Sequence, residues 1–359
     1  MIPETMDVIR GRPVAPAGSK EWREMGRRGS ADVQERTAAA TKQSPGLMRI
    51  PGWSIPALRA DGLPVDAATD PHPRWGHPLI RIAVFLLVFA AIGGTGLGLA
   101  YLVDPTGPGE GTGMLVTALG LIAAALVAYI VMTTWLERRR PVELAPSRVS
   151  GLFGGLGLGA ICVLTCFAIA WALGGFSVDG VRGFTEIPWV TDIIMTGFFS
   201  AVVEEILFRG IVFRFLDLWL GSWLAVGLSA VAFGSMHILA DSATLVSTLA
   251  TIVEAGILFA MVYLLTRSLW WVIGLHAAWN SVLSNVLGVN VSGNVNEGLL
   301  MTRPIGSDVI SGGAYGLEAS IVSVIALTTV ALIGLWIAHR RGVMVAPSWV
   351  RRREQAATA

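Results

Sequence analysis

The chain has 359 residues, of which 53% are hydrophobic and 14% charged, with a mean hydropathy of +0.65 and a net charge of +1. Soluble domains carry about 25% charged residues, so the composition excludes an ordinary soluble protein and points to a membrane protein. The two cysteines, Cys162 and Cys166, lie one helical turn apart in an apolar run; they exclude a disulfide framework and read as packing residues.

Residues 1–78 hold ten of the 17 prolines, eleven Lys/Arg and nine Asp/Glu, with no sustained apolar periodicity. Such a segment cannot bury enough apolar surface to fold alone and reads as a flexible cytoplasmic tail. It has no apolar stretch near its start, so no cleavable signal peptide is expected. From there to residue 339 the chain reads as an all-α, polytopic membrane helix bundle. Apolar runs cover residues 79–103, 113–136, 149–175, 190–215, 219–238, 244–266, 269–289 and 321–338. Each is close to the roughly 20 residues that span a hydrocarbon core, giving about eight transmembrane helices. The third run is rich in glycine, which suits close helix contact. Residues 176–189 and 290–318 read as loops, and 340–359 as a basic cytoplasmic tail.

Arginine placement gives an orientation. Arg138, Arg139, Arg140 and Arg148 follow the second run, Arg214 the fourth, Arg267 the sixth, and Arg340, Arg341 and Arg351 to Arg353 the eighth. The opposite loops hold only Arg182 and Arg303. The positive-inside rule then places both termini in the cytoplasm, which an even number of spans satisfies. Arginine outnumbers lysine 24 to 2, which suggests a GC-rich genome and a bacterial plasma membrane. There is no nucleic-acid signature.

The fourth run contains Glu204, Glu205 and Arg209. An ionised side chain at the centre of a membrane helix costs about 2.5–3.5 kcal/mol even on a lenient scale, so these groups need partners or a wet cavity. Glu205 and Arg209 are i and i+4 and can pair on one face. Glu204 is rotated by about 100° on a 3.6-residue helix and points elsewhere. Two of the five histidines fall within spans: His237, which closes Phe233-Gly-Ser-Met-His237, and His276, which opens His276-Ala-Ala-Trp-Asn280. Counted from Arg214 and Arg267, Glu204 and His276 lie at matching depths, about 15 and 13 Å. Counted from Ser222, His237 lies about 22 Å in, so it matches only if the fourth helix runs on past the membrane to a turn at Gly221-Ser222.

A glutamate, two histidines and an asparagine can hydrolyse an amide. Glu204 is the candidate general base for water. His237 could orient that water, and His276 and Asn280 could stabilise the oxyanion. Glu204, His237 and His276 are also compatible with a divalent metal such as zinc, so metal-bound and metal-free water both stay open.

These residues closely resemble three motifs of the CAAX protease and bacteriocin-processing (CPBP) family of intramembrane proteases. The motifs are Glu-Glu-x-x-x-Arg at Glu204–Arg209, Phe-x-x-x-His at Phe233–His237 and His-x-x-x-Asn at His276–Asn280, in the family's order on separate helices. The resemblance covers a core of about 190–287. It implies a CAAX-type intramembrane endopeptidase with Glu204 activating water, His237, His276 and Asn280 completing the site, and Glu205 and Arg209, with Phe233, supporting it. It implies a membrane-embedded or lipid-anchored peptide substrate, prenylated or bacteriocin-like. Members similar to type II prenyl endopeptidases remove a C-terminal tripeptide after a prenylated cysteine.

Other membrane proteases fit less well. There is no His-Glu-x-x-His for a zinc enzyme of the site-2 type, no Gly-x-Gly-Asp for an aspartyl enzyme, and Ser235 lacks a glycine-flanked loop for a serine enzyme. Two other classes compete: a non-catalytic immunity or scaffold protein, and a proton- or cation-coupled transporter using Glu254 and Asp241. Glu254 reads better as facing the polar cavity.

Overall fold

The apolar runs form long helices because lipid offers the backbone no hydrogen-bond partner, so each spanning segment must satisfy its own N–H and C=O groups. The computed structural model describes residues 64, 67, 78–104, 107 and 111–358. The tail expected over 1–78 lies outside the described residues except at 64, 67 and 78. In chain order come α1 (Pro78–Val103), α2 (Gly111–Leu136), α3 (Ser150–Ala172), β1 (Phe176–Val181), α4 (189–220), α5 (Ser222–Met236), α6 (Leu245–Thr266), α7 (269–286), β2 (Leu300–Pro304), α8 (Ile321–Arg340) and α9 (Ser348–Thr358). The protein is an all-α polytopic bundle, and α1 to α8 occupy the eight expected runs. Six of them are long and apolar enough to cross a membrane; α4 and α7, which carry the Glu-Glu and His-x-x-x-Asn motifs, are the two that are not.

Burial explains how the bundle tolerates those two. α7 is its centre, with every residue from Trp271 to Asn280 buried. α1 lies at the other extreme and exposes Leu87, Tyr101 and Leu102, a surface suited to lipid. Lipid is as apolar as leucine, so helices in a membrane associate through close packing and polar contacts. The glycines of α3 supply the packing. A Cβ on Gly155 would come within 2.1 Å of the Trp271 carbonyl oxygen, and one on Gly274 of α7 within 2.2 Å of the Leu152 oxygen. Cys162 and Cys166 are free and buried on the same helix.

Several helices are widened by π turns, over Met132–Leu136 in α2, Ile193–Phe199 and Ile206–Phe213 in α4, Ile252–Gly256 in α6 and Val282–Val286 in α7. In α4 they flank Ser200–Glu205, the stretch with the paired glutamates. Such bulges free backbone groups and redirect side chains, and they recur at functional sites.

Three features differ from the sequence reading. The expected loops 176–189 and 290–318 contribute β1 and β2, which pair antiparallel as a two-stranded ribbon, Phe176 opposite Pro304 and Val178 opposite Thr302. The expected basic tail 340–359 forms α9 and packs back on the α4–α5 turn. There Ser222 N–H donates to the Val345 carbonyl at 3.0 Å, and Arg351 Nη2 donates to the Leu218 carbonyl at 2.6 Å. Gly221 makes that turn with φ +83°, and a Cβ there would lie 2.9 Å from the Val345 oxygen.

The third difference concerns the arginines read as surface markers. Arg214 is buried, and its Nη2 lies 2.6 Å from Glu137 Oε1. Arg81 Nη1 reaches the same oxygen at 2.9 Å, while Arg139 Nε bonds Glu137 Oε2 at 2.6 Å and its Nη2 bonds Glu143 Oε1 at 2.7 Å. Tyr129 O–H also donates to Glu143. Arg267 is likewise buried and pairs with Asp217 at 2.7 Å. These cations join helices instead of facing solvent.

Candidate active site

The site begins in α4. Arg209 Nη1 donates to Glu205 Oε1 at 3.0 Å, with both side chains fully buried. Arg209 Nη2 donates to the Gly256 carbonyl at 3.2 Å, a group in the π turn of α6. The Arg209 guanidinium also lies 4.4 Å from the centroid of the Phe233 ring and 5.2 Å from that of Phe259. A cation over an aromatic face is favourable, more so when desolvated. The Glu205–Arg209 pair therefore ties α4 to α5 and α6.

His276 of α7 closes on the same pair, its Nδ1 2.9 Å from Glu205 Oε1. A carboxylate accepts, so Nδ1 carries the proton and Nε2 points away from Glu205. Asn280, one turn further, donates from Nδ2 to the Thr196 carbonyl and to Ser200 Oγ, both at 3.0 Å. The Thr196 oxygen can only accept, which fixes the amide orientation. Asn280 thus clamps α7 to α4, and its N–H groups are engaged there.

Glu204 points elsewhere, as its rotation from Glu205 requires. Its Oε2 lies 4.0 Å from His237 Nε2 and has no hydrogen-bond partner. His237 Nδ1 is 3.0 Å from the Phe233 carbonyl; that oxygen only accepts, so the neutral ring is protonated on Nδ1 and bares the Nε2 lone pair toward Glu204. Phe233 thus has two tasks in its motif: its carbonyl orients His237 and its ring carries Arg209.

The depths agree because the helix hairpin is symmetric about its turn. Gly221 separates α4 from α5, and Glu204 and His237 sit almost equally far from it, about 25 Å at 1.5 Å per residue. Arg214 gave a misleading origin because it is an interior residue.

The three-donor set Glu204, His237 and His276 does not converge. Among the described residues no group of three or more His, Cys, Asp or Glu side chains could hold a metal ion. Glu204 and His237 face each other, but His276 does not join them in such a group. Catalytic zinc keeps three protein ligands, so the residues do not fit one, and no step below passes through a metal.

A small cavity adjoins the histidines. Its walls include Phe233, His237, His276, Asn280, Ser292 and Glu318, and it has about 10 Å³ open to water centres, about enough for one water molecule. Glu254 was expected to face this space. It does not: Thr251 and Ala255 of the same π-widened helix line the wall, while Glu254 is buried with both carboxyl oxygens lacking a hydrogen-bond partner. Asp241 is exposed in the turn after α5. Glu318 and Ser292, from the segment between α7 and α8, are the polar loop residues of the cavity that sequence reasoning missed. A glutamate at the end of a polar loop carries no signal in the sequence.

A family model described as type II CAAX prenyl endopeptidase Rce1-like matches residues 186–282. No curated protein and no solved structure gives a match to the chain. The matched stretch is about a quarter of the chain; it runs from just before α4 into α7 and contains all three motifs. With those motifs on α4, α5 and α7 of one membrane bundle, residues 186–282 form a core of the Rce1-like type, the type II CAAX prenyl endopeptidase branch of the CPBP family.

Proposed function

We propose that the protein is a CAAX-type intramembrane endopeptidase that hydrolyses a peptide bond of a membrane-embedded or lipid-anchored substrate, with prenylated peptides the first class to test. One observation carries this reading: the unpartnered Glu204 carboxylate oxygen opposite the Nε2 lone pair of His237, 4.0 Å apart. A single water can hydrogen-bond to both groups, since each such bond is about 2.8 Å and the two meet at an angle. Glu204 then takes a proton from that water as the oxygen attacks the scissile carbonyl, while His237 orients it. His276, held through Nδ1 by Glu205, donates from Nε2 in its imidazolium form to the developing oxyanion. Asn280 keeps α7 in register with α4, a positioning role that the two bonds to Thr196 and Ser200 support. Both termini face the cytoplasm in this proposal, following the arginine bias of the loops.

The test is cleavage of a prenylated-cysteine peptide with three further residues, and of a transmembrane peptide, by purified full-length protein in lipid micelles. Glu204→Ala lowers kcat/KM by about 10² to 10⁴-fold, and His276→Ala by a comparable factor. Undiminished cleavage by Glu204→Ala sinks the mechanism, and no cleavage of either probe favours an immunity or scaffold role. A chelator added to the same reaction leaves the rate unchanged if the water is activated without metal.

A further inference from the structure

Amide hydrolysis needs two proton transfers. Water must lose one proton, and the departing nitrogen must gain one, because an amide anion is a very poor leaving group. Glu204 accounts for the first. For the second, His237 offers no proton in its neutral form, since its Nδ1–H is committed to the Phe233 carbonyl, and the His276 Nε2–H is given to the oxyanion in the reading above.

Glu318 is placed for that task. It is 7% exposed and walls the same cavity as His237 and His276. Its Oε2 is filled by donors from Ser292, the Oγ–H at 3.0 Å and the backbone N–H. Oε1 accepts one bond, from Trp279 Nε1 at 3.3 Å, and so has room to carry a proton. Trp279 lies within the His-x-x-x-Asn motif of α7, so the motif helix itself orients this carboxyl. The loop that carries Glu318 is fixed over the cavity by two contacts: Ser242 Oγ donates to the Gly293 carbonyl at 3.0 Å, and the Tyr315 and Thr251 hydroxyls lie 3.2 Å apart. Burial, the largest influence on it, holds the Glu318 carboxyl above its ordinary range, against the pull of the Ser292 and Trp279 donors. Carboxyls of this kind serve enzymes as proton donors. The residue lies beyond the stretch matched by the family model, so none of the three motifs contains it.

We propose that Glu318 is a catalytic acid that protonates the departing amide nitrogen, a role that rests on the hydrolase reading above. In the first step the water oxygen bonds to the carbonyl carbon and its proton passes to Glu204. In the second the carbon–nitrogen bond breaks, its electron pair stays on nitrogen, and the Glu318 proton bonds to that nitrogen. The products are a carboxylic acid and an amine. Glu204 then releases its proton to water and Glu318 takes one up, which restores the starting state.

Amide and ester bonds separate this role from a structural one, because an alcohol leaves without a strong acid. The measurement compares the prenylated peptide with its depsipeptide, in which an ester replaces the scissile amide, using purified full-length protein. Glu318→Gln lowers kcat/KM on the amide by about 10²-fold and changes that on the ester by less than about threefold. Retained ester turnover also shows that the variant folds. Equal losses on both bonds, or full amide cleavage, overturn the proposal; in the second case Glu204 itself delivers the proton. Glu204→Gln, measured alongside, loses both bonds, and if it keeps amide cleavage the hydrolase reading fails instead.

Discussion

The cluster around Glu137 and the cluster around Glu204 both bury carboxylates between helices, yet only in the first is every carboxylate oxygen engaged, even though Arg81 Nε there lacks a partner. Glu137 Oε1 is engaged by Arg81 and Arg214 and Oε2 by Arg139, and both Glu143 oxygens are engaged by Arg139. In the second cluster Glu205 is shared between Arg209 and His276, but Glu204 Oε2 and Glu205 Oε2 have no hydrogen-bond partner. A buried acceptor left open costs about 1–3 kcal/mol, so a membrane bundle keeps one only where something else is gained. Saturation fits a staple, and a vacancy beside a histidine lone pair fits the base proposed above.

The largest effect should come from breaking the closed cluster. Glu137→Ala leaves Arg81, Arg139 and Arg214 buried with too little negative charge, and removing one partner of a buried ion network costs about 3–5 kcal/mol. Thermal unfolding in micelles checks this, and an unchanged midpoint would show that the network contributes nothing. Acid should act on the same contact. Burial by itself would push the Glu137 carboxyl up, but Arg214, Arg139 and Arg81 draw it from its ordinary 4.5 down to about 2. A depressed carboxylate contributes stability above its unfolded value and loses it as pH falls through the folded value. The contribution is therefore complete above about pH 4.5 and fades toward pH 2. Glu137→Gln should flatten the stability-against-pH curve across that window, and parallel curves for variant and wild type would contradict the assignment.

The residues of the open cluster were legible in the sequence because intramembrane charge is costly and helical spacing is fixed. Glu205 and Arg209 at i and i+4 and the rotation of Glu204 away from them follow from spacing alone. The closed cluster was not legible. Arg139 and Arg214 sit where a positive-inside count expects solvent-facing cations, and only packing reveals that Glu137 and Glu143 take them inward. The β1–β2 ribbon escaped for another reason: Phe176–Val181 and Leu300–Pro304 are short and pair across more than a hundred residues, a contact that periodicity cannot report. Glu318 escaped with it, being placed by a loop that has no periodicity. The zinc-compatible set was legible as residue types, but its geometry was not: among the described residues no group of three such side chains could hold a metal ion.

The smallest effect on stability is also the one that most sharply separates the two clusters. Glu204→Ala should change the unfolding free energy by less than about 1 kcal/mol, or raise it, because an acceptor without a partner is removed along with its desolvation cost. The neighbours lose little. His237 keeps its bond to the Phe233 carbonyl, and Arg209 keeps Glu205, the Gly256 carbonyl and the two aromatic faces. The Glu204 side chain is also 19% exposed, so truncating it need not leave a sealed void, the main cost of a core deletion. Activity and stability should then dissociate in opposite directions: Glu204→Ala inactive and stable, Glu137→Ala destabilised. If Glu204→Ala instead unfolds as readily as Glu137→Ala, Glu204 is a second staple, and the reactive group must be sought along the cavity wall.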